Sequence, residues 1–155
     1  MKFSSRETME MPIEAAFALL SDFSDVEERL QRRGAHIART DDLTGPCRGM
    51  TWCAEFALHG RQRAVDVTLS IFDPTKQMRF DLASDGLEGE ADLRLAAITE
   101  AQTQLTLEIE LRPRTIAARI LMKSLKLAKT QLDQRLQDRV AGYIREIEAR
   151  YHDTG

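Results

Sequence analysis

Residues 51–71 read TWCAEFALHGRQRAVDVTLSI. Trp52, Ala54, Phe56 and Leu58 alternate with Thr51, Cys53, Glu55 and Ala57. Beyond His59 and Gly60, Val65, Val67, Leu69 and Ile71 alternate with Ala64, Asp66, Thr68 and Ser70. Successive side chains of a strand point to opposite faces, so each run carries one apolar face. The short His59-Gly60 link makes the pair an antiparallel hairpin. The same period continues downstream. Asp73-Pro74-Thr75-Lys76 turns the chain, because proline presets the dihedral of a turn's second position. Met78, Phe80 and Leu82 then oppose Arg79, Asp81 and Ala83. After Gly86 and Gly89, Leu93 and Leu95 face inward, and Leu105, Leu107, Ile109 and Leu111 alternate with Thr106, Glu108 and Glu110. The two glycines form a G-x-x-G between strands rather than ahead of a helix, so they are assigned to a turn and not to a phosphate cradle.

On the C-terminal side the period changes to that of a helix. Pro113 closes the last strand, and Leu121, Leu125, Ala128, Leu132, Leu136, Tyr143 and Ile147 share one apolar stripe over residues 115–151. At 1.5 Å per residue this helix would be about 55 Å long, more than a domain of this size needs, so a break or bend is expected near its first turns. On the N-terminal side, Phe3, Met9 and Met11 mark a weakly alternating strand that Pro12 ends. Ile13, Phe17 and Leu20 repeat at i, i+4, i+7 in a short helix that starts at this proline. Ser24 with Glu27 forms a capping-box pattern for a second short helix running to Arg33 and ending at Gly34. Residues 35–42 read as a further strand, and Thr44-Gly45-Pro46 as a loop.

A chain of 155 residues is expected to form one domain, 1–155, with a core of its own. Hydrophobic residues make up 43% and charged residues 30%, the balance of a packed protein rather than a disordered one. The formal net charge of -3 excludes a general nucleic-acid binder, which needs a basic footprint to displace counterions from phosphates. No run is continuous enough for a signal peptide or long enough to cross a bilayer, and a cytoplasmic protein is expected. Cys47 and Cys53 are too few for a disulfide framework and wrongly spaced for zinc. His36, His59 and His152 fall in a strand, a hairpin turn and the C-terminal tail, so neither a metal nor another cofactor is expected.

Three stretches, Met11-Pro12-Ile13-Glu14-Ala15-Ala16-Phe17-Ala18-Leu19-Leu20-Ser21-Asp22, Gly49-Met50-Thr51-Trp52 and Phe72-Asp73-Pro74-Thr75-Lys76, sit in a distinctive order of elements. That order is strand, two short helices, six strands, long helix. It resembles the START and Bet v 1-like superfamily, which includes polyketide cyclase/dehydrase-type proteins, lipid-transfer domains and plant allergens. The resemblance spans nearly the whole chain. It implies an α+β helix-grip fold, a curved antiparallel sheet of about seven strands wrapped around a long C-terminal helix, with two short helices between strands 1 and 2. It also implies a cavity between sheet and helix for a lipid, quinone or polyketide-like molecule. It implies no single activity, since function resides in the site and not in the fold.

On that reading the cavity candidates are Trp52, Phe56, Val67, Leu69, Phe80, Leu82, Leu95, Leu107 and Ile109 from the sheet, with Leu121 and Leu125 from the helix. None of the inward sheet positions is ionisable, while Glu55, Asp66, Asp81 and Glu108 occupy the opposite register. A general acid or base must reach the substrate, so no catalytic residue is nominated and binding is favoured over enzymology. Ser21, Asp22 and Ser24 have no histidine nearby and serve as helix caps. A cyclase/dehydrase-type enzyme is the alternative, and an ionisable side chain such as Glu55 or Arg79 turned into the cavity would speak for it. An interaction or co-chaperone module would instead show an exposed apolar patch and no cavity. From Arg112 through Arg114, Arg119, Lys123 and Lys126 to Lys129 every charge is basic. Arg119, Lys123 and Lys126 share a helical face beside Ile116, Ile120 and Leu127, a pattern suited to transient contact with an anionic membrane. The competing expectation is a solvated face paired with the acidic residues 81–92 or a partner subunit.

Overall fold

Seven alternating runs pair into one antiparallel sheet in the computed structural model, which describes residues 1–58 and 60–154. His59, half of the expected hairpin turn, lies outside the described residues. The strands are β1 (Lys2–Met9), β2 (His36–Arg39), β3 (Thr51–Leu58), β4 (Arg61–Asp73), β5 (Gln77–Ser84), β6 (Leu87–Thr99) and β7 (Gln102–Pro113). Helices α1 (Ile13–Leu20) and α2 (Phe23–Arg32) separate β1 from β2, and α3 (Ile116–Leu127) and α4 (Lys129–Thr154) follow β7. The spatial order is β1-β7-β6-β5-β4-β3-β2, so the first two strands of the chain form the two edges. This is the expected α+β helix grip.

Cross-strand partners share a face. Trp52 lies opposite Val67, Val67 opposite Leu82, Phe80 opposite Leu69 and Ala91, and Ile109 opposite Ala91 and Phe3. All of these point inward. At one end of that face α1 buries Ala16, Phe17 and Leu20 against Met9, Met11, Leu69, Met78, Leu95, Leu105 and Ile147 in a continuous core. Leu69 is fully buried there, just before a bulge between Leu69 and Ile71. Helix α4 packs along β1, and α3 packs on β7 and α4.

The C-terminal helix breaks at Ala128, after its first three turns, where a break near its first turns was expected, and two other local expectations are corrected. The Ala128 amide donates to the Leu125 carbonyl at 3.1 Å, and the Leu132 amide restarts the ladder on the Ala128 carbonyl at 2.9 Å. Twenty-six residues, about 39 Å, suffice for α4. The Ser24 capping box does not form. Helix α2 begins two residues earlier, with Asp22 at the N-cap and the Val26 amide on the Asp22 carbonyl at 3.0 Å, because Phe23 is buried and belongs to the first turn. Gly86 is a turn residue with φ +73°, but Gly89 lies inside β6 opposite Leu82 and Leu111. A Cβ at Gly89 would collide with the Glu110 carbonyl oxygen, which is backbone and cannot rotate away.

Asp41 organises the link between β2 and β3. Its carboxylate accepts from Arg39 Nη2 at 2.6 Å, Arg39 Nε at 2.9 Å, the Leu43 amide at 2.8 Å and the Thr51 amide at 2.7 Å. The Arg39 hydrogen bonds, helped by the Thr51 amide, hold this carboxyl well below the usual carboxylate range.

Two outcomes follow from these contacts. Gly89→Ala should lower stability by about 1–3 kcal/mol in denaturant unfolding, the usual cost of overpacking a rigid site, and an unchanged midpoint would refute the close approach. Because the Asp41 pKa is depressed on folding, its contribution is present above the ordinary carboxylate pKa near 4 and is lost as pH falls through that region. Thermal melting should therefore fall more steeply between pH 5 and about pH 3 in the wild type than in Asp41→Asn, which starts lower; parallel curves would remove Asp41 as the cause.

A cavity between the sheet and two helices

The inner face of the sheet is longer than α1 and α4 can cover, and a cavity of about 750 Å³ lies where they leave it open. Trp52, Ala54 and Phe56 of β3, Val67 of β4, Phe80 and Leu82 of β5, Ala91 and Leu93 of β6, and Leu105 and Leu107 of β7 form its floor. Phe23, Val26 and Leu30 of α2 and Val140, Tyr143 and Ile144 of α4 close the other side. Among its wall residues Arg33, Gly34, Ala57 and Arg139 are exposed, whereas Leu20, Phe23, Trp52, Met78, Leu105 and Ile144 are buried. The opening therefore lies at the C-terminal end of α2 and the far end of β3.

Of the candidates named from sequence, Trp52, Phe56, Val67, Phe80, Leu82 and Leu107 stand on this wall. Five do not. Leu69 and Leu95 have the right register but lie in the packed core. Ile109 lies further along β7 than Leu107, opposite Phe3, where the Lys129 ammonium of α4 stands 5.7 Å from the Phe3 ring centroid. Leu121 and Leu125 belong to α3, which ends before the cavity, so the C-terminal helix contributes Arg139, Val140, Tyr143 and Ile144 instead. The α2 wall was also missed. Nothing local in the sequence marks Val26 and Leu30 as closing a cavity.

Trp52 is clamped from several sides. Its indole Nε1 donates to the Glu27 carboxylate at 2.9 Å, and its ring meets Phe23 edge-on at 5.2 Å and Phe80 at 6.1 Å between centroids. The Arg39 guanidinium stands 5.9 Å from the ring centroid. Glu27, the residue expected to complete the capping box, is thus drawn into the cavity wall by a partner 25 positions away.

Polar groups reach the wall only from helices and the turn after α2. They are Glu27, Arg33, Arg139 and Tyr143. Glu55 is exposed, and Arg79 pairs with Asp81 at 3.3 Å and Glu90 at 3.6 Å, so neither enters. Arg33 is bound to Glu146 at 2.5 Å. Glu146 also faces Arg29 at 3.9 Å, and Arg150 joins Asp22 at 2.9 Å and Asp25 at 3.2 Å, so ion pairs tie α2 to α4 beside the cavity. Arg139 has no ion-pair partner among the described residues. One turn further along α4, the Tyr143 hydroxyl is buried and finds no hydrogen-bond partner among them either. Burial, reinforced by the Asp25 carboxylate, pushes the Tyr143 phenol up to about 12. At neutral pH it is protonated, and while the Tyr143 side chain lines the cavity its oxygen is enclosed beside Asp25, Arg29 and Glu146. The arrangement can enclose an apolar body, with the Arg139 side chain exposed at the opening.

Elsewhere the candidate chemistry disperses. His36 lies on β2 and His152 in the last turn of α4, while Cys47 and Cys53 are free thiols. Among the described residues no group of three His, Cys, Asp or Glu could hold a metal, and no helix is long and apolar enough to cross a membrane.

No family model matches this chain, and no curated protein matches it. Solved structures do. The Thermus thermophilus protein TTHA0849 superposes with a TM-score of 0.70 at 12% identity, covering 96% of this chain and 98% of that one. The Zhui aromatase/cyclase from a Streptomyces species gives 0.69 at 11% identity, covering 100% and 98%. Ara h 8.0201 gives 0.62 at 11% identity, covering 94% and 98%. Identities this low speak to the fold alone, and the agreement runs over nearly the full length of each partner. The chain has the helix-grip fold that these structures share.

Proposed function

We propose that this protein binds a hydrophobic or amphipathic small molecule between the sheet and α4, with the apolar body inside and the polar end near Tyr143 and Arg139. The observation that carries this reading is the cavity of about 750 Å³, apolar over most of its wall, with Tyr143 and Arg139 one turn apart on its α4 side. Ligand sites characteristically combine an apolar wall with a few placed polar groups. Burying about 300 Å² of apolar ligand surface at 25 cal/mol per Å² supplies about 7 kcal/mol before the cost of immobilisation is subtracted. Lipids, quinones and polyketide-like molecules share that chemistry.

One observation favours an enzyme of the cyclase/dehydrase type as the second reading. Ionisable groups, Glu27 and Tyr143, do reach the wall, and one fold neighbour is an aromatase/cyclase by name. Against it, Glu27 is engaged by the Trp52 indole, and a phenol near 12 is a hydrogen-bond donor rather than a base poised near neutral pH. Binding and orientation are what these groups are suited to.

The chain has one tryptophan, so its emission reports on the cavity alone. Titration with an anilinonaphthalene sulfonate should change Trp52 emission saturably, and Ala91→Phe, which fills the floor, should weaken this at least tenfold, about 1.4 kcal/mol, without loss of cooperative melting. An unsaturable response, or unchanged affinity in a folded Ala91→Phe protein, would refute the cavity as the site. Tyr143→Phe removes one hydrogen bond, so affinity for a fluorescent fatty acid should drop about two- to tenfold while affinity for its methyl ester changes less. Arg139→Glu should act in the same direction. Equal losses for acid and ester would place the polar end elsewhere.

A further inference from the structure

We propose that the outward face of α3 docks on an anionic lipid surface. This helix is apolar on two opposite sides. Ala118, Met122 and Leu125 are buried against the rest of the protein. At 100° per residue Ile116, Ile120 and Leu127 fall within an arc of about 40° on the other side. They are 77%, 62% and 92% exposed, three of the five exposed large hydrophobic residues described. An apolar strip of this kind on a helix already packed by its opposite face has no role in the core.

The cations beside the strip identify what covers it. Lys123 falls close to the same arc, and Arg119 and Lys126 flank it on one side; all three are exposed. No acidic residue occurs between Glu110 and Asp133. The acidic strand region does not neutralise these charges, because Glu90 is taken by Arg112 and Glu88 by Arg114, each at 2.7 Å. A second copy laid strip to strip would set Arg119, Lys123 and Lys126 against their own counterparts. An anionic bilayer meets both requirements at once. Its acyl boundary receives Ile116, Ile120 and Leu127, and its headgroups receive the cations, whose alkyl stems lie along the apolar strip. With a net charge of -3 the protein as a whole is repelled, so attachment is local to this helix and sensitive to salt. The inference is independent of what the cavity holds.

The test is flotation of the full chain with vesicles of phosphatidylcholine, with and without about one third phosphatidylglycerol, at low salt. Retention is expected on the anionic vesicles only, with release as salt shortens the Debye length. The combined variant Arg119→Glu, Lys123→Glu, Lys126→Glu should reduce retention at least about tenfold. The combined variant Ile116→Ser, Ile120→Ser, Leu127→Ser should reduce it at least about fivefold. All six positions are exposed, so both proteins should melt as the wild type does. No retention, equal retention on both vesicle types, or retention unchanged in either folded variant would overturn the proposal. A solution dimer that the serine variant dissolves, without vesicle binding, would assign the face to a second copy and overturn it equally.

Discussion

Everything in this molecule answers to one requirement, that the apolar inner face of a seven-stranded sheet be kept from water. Two pieces of chain meet it completely at the ends. Helix α1 presses Phe17 and Leu20 onto the Met9, Leu69 and Leu95 end, and α4 follows the β1 edge to bury Ile144 and Ile147. The middle is covered only at a distance. Protein interiors normally close to crystal-like density, and here the small residues Ala54 and Ala91 on the floor leave space that Trp52 and Phe80 bound without filling. The cavity is thus the part of the sheet that neither helix reaches.

The same sheet also segregates polarity. Strict alternation sends Glu55, Asp66 and Asp81 outward, so any polar group inside must arrive from a helix. Those that do have different fates. Glu27 is consumed in holding the Trp52 indole, and Arg33 in holding Glu146. Tyr143 and Arg139, one turn apart on α4, have no hydrogen-bond or ion-pair partner among the described residues. A buried hydroxyl left unsatisfied ordinarily costs stability.

The break at Ala128 links the two surfaces of interest. By turning, α4 aligns with β1 and brings Val140 and Tyr143 over the floor. The same turn leaves α3 on β7, with its second apolar strip exposed.

Much of the fold was legible because period-two alternation and helical stripes are local properties of a few residues at a time. The strands from Thr51 to Leu111, both N-terminal helices and the stop at Gly34 all follow from such spacing. The site was legible only in part. Phe80 and Leu69 are opposite one another on neighbouring strands, with the same apolar character and the same facing direction. One lines the cavity and the other is sealed in the core, and nothing in either residue tells them apart. Glu27 matched a capping pattern with Ser24, yet a buried indole 25 positions away offered a donor that the solvated helix end could not rival. Leu121 and Leu125 shared a stripe with Tyr143, but a stripe does not record where a helix bends. The sequence by itself determined the elements, their order and the apolar face of each, since these depend on neighbours along the chain. Only the tertiary structure decided which of those faces is packed, which encloses a cavity and which is left exposed, because coverage depends on helix lengths and crossing directions that no local spacing encodes.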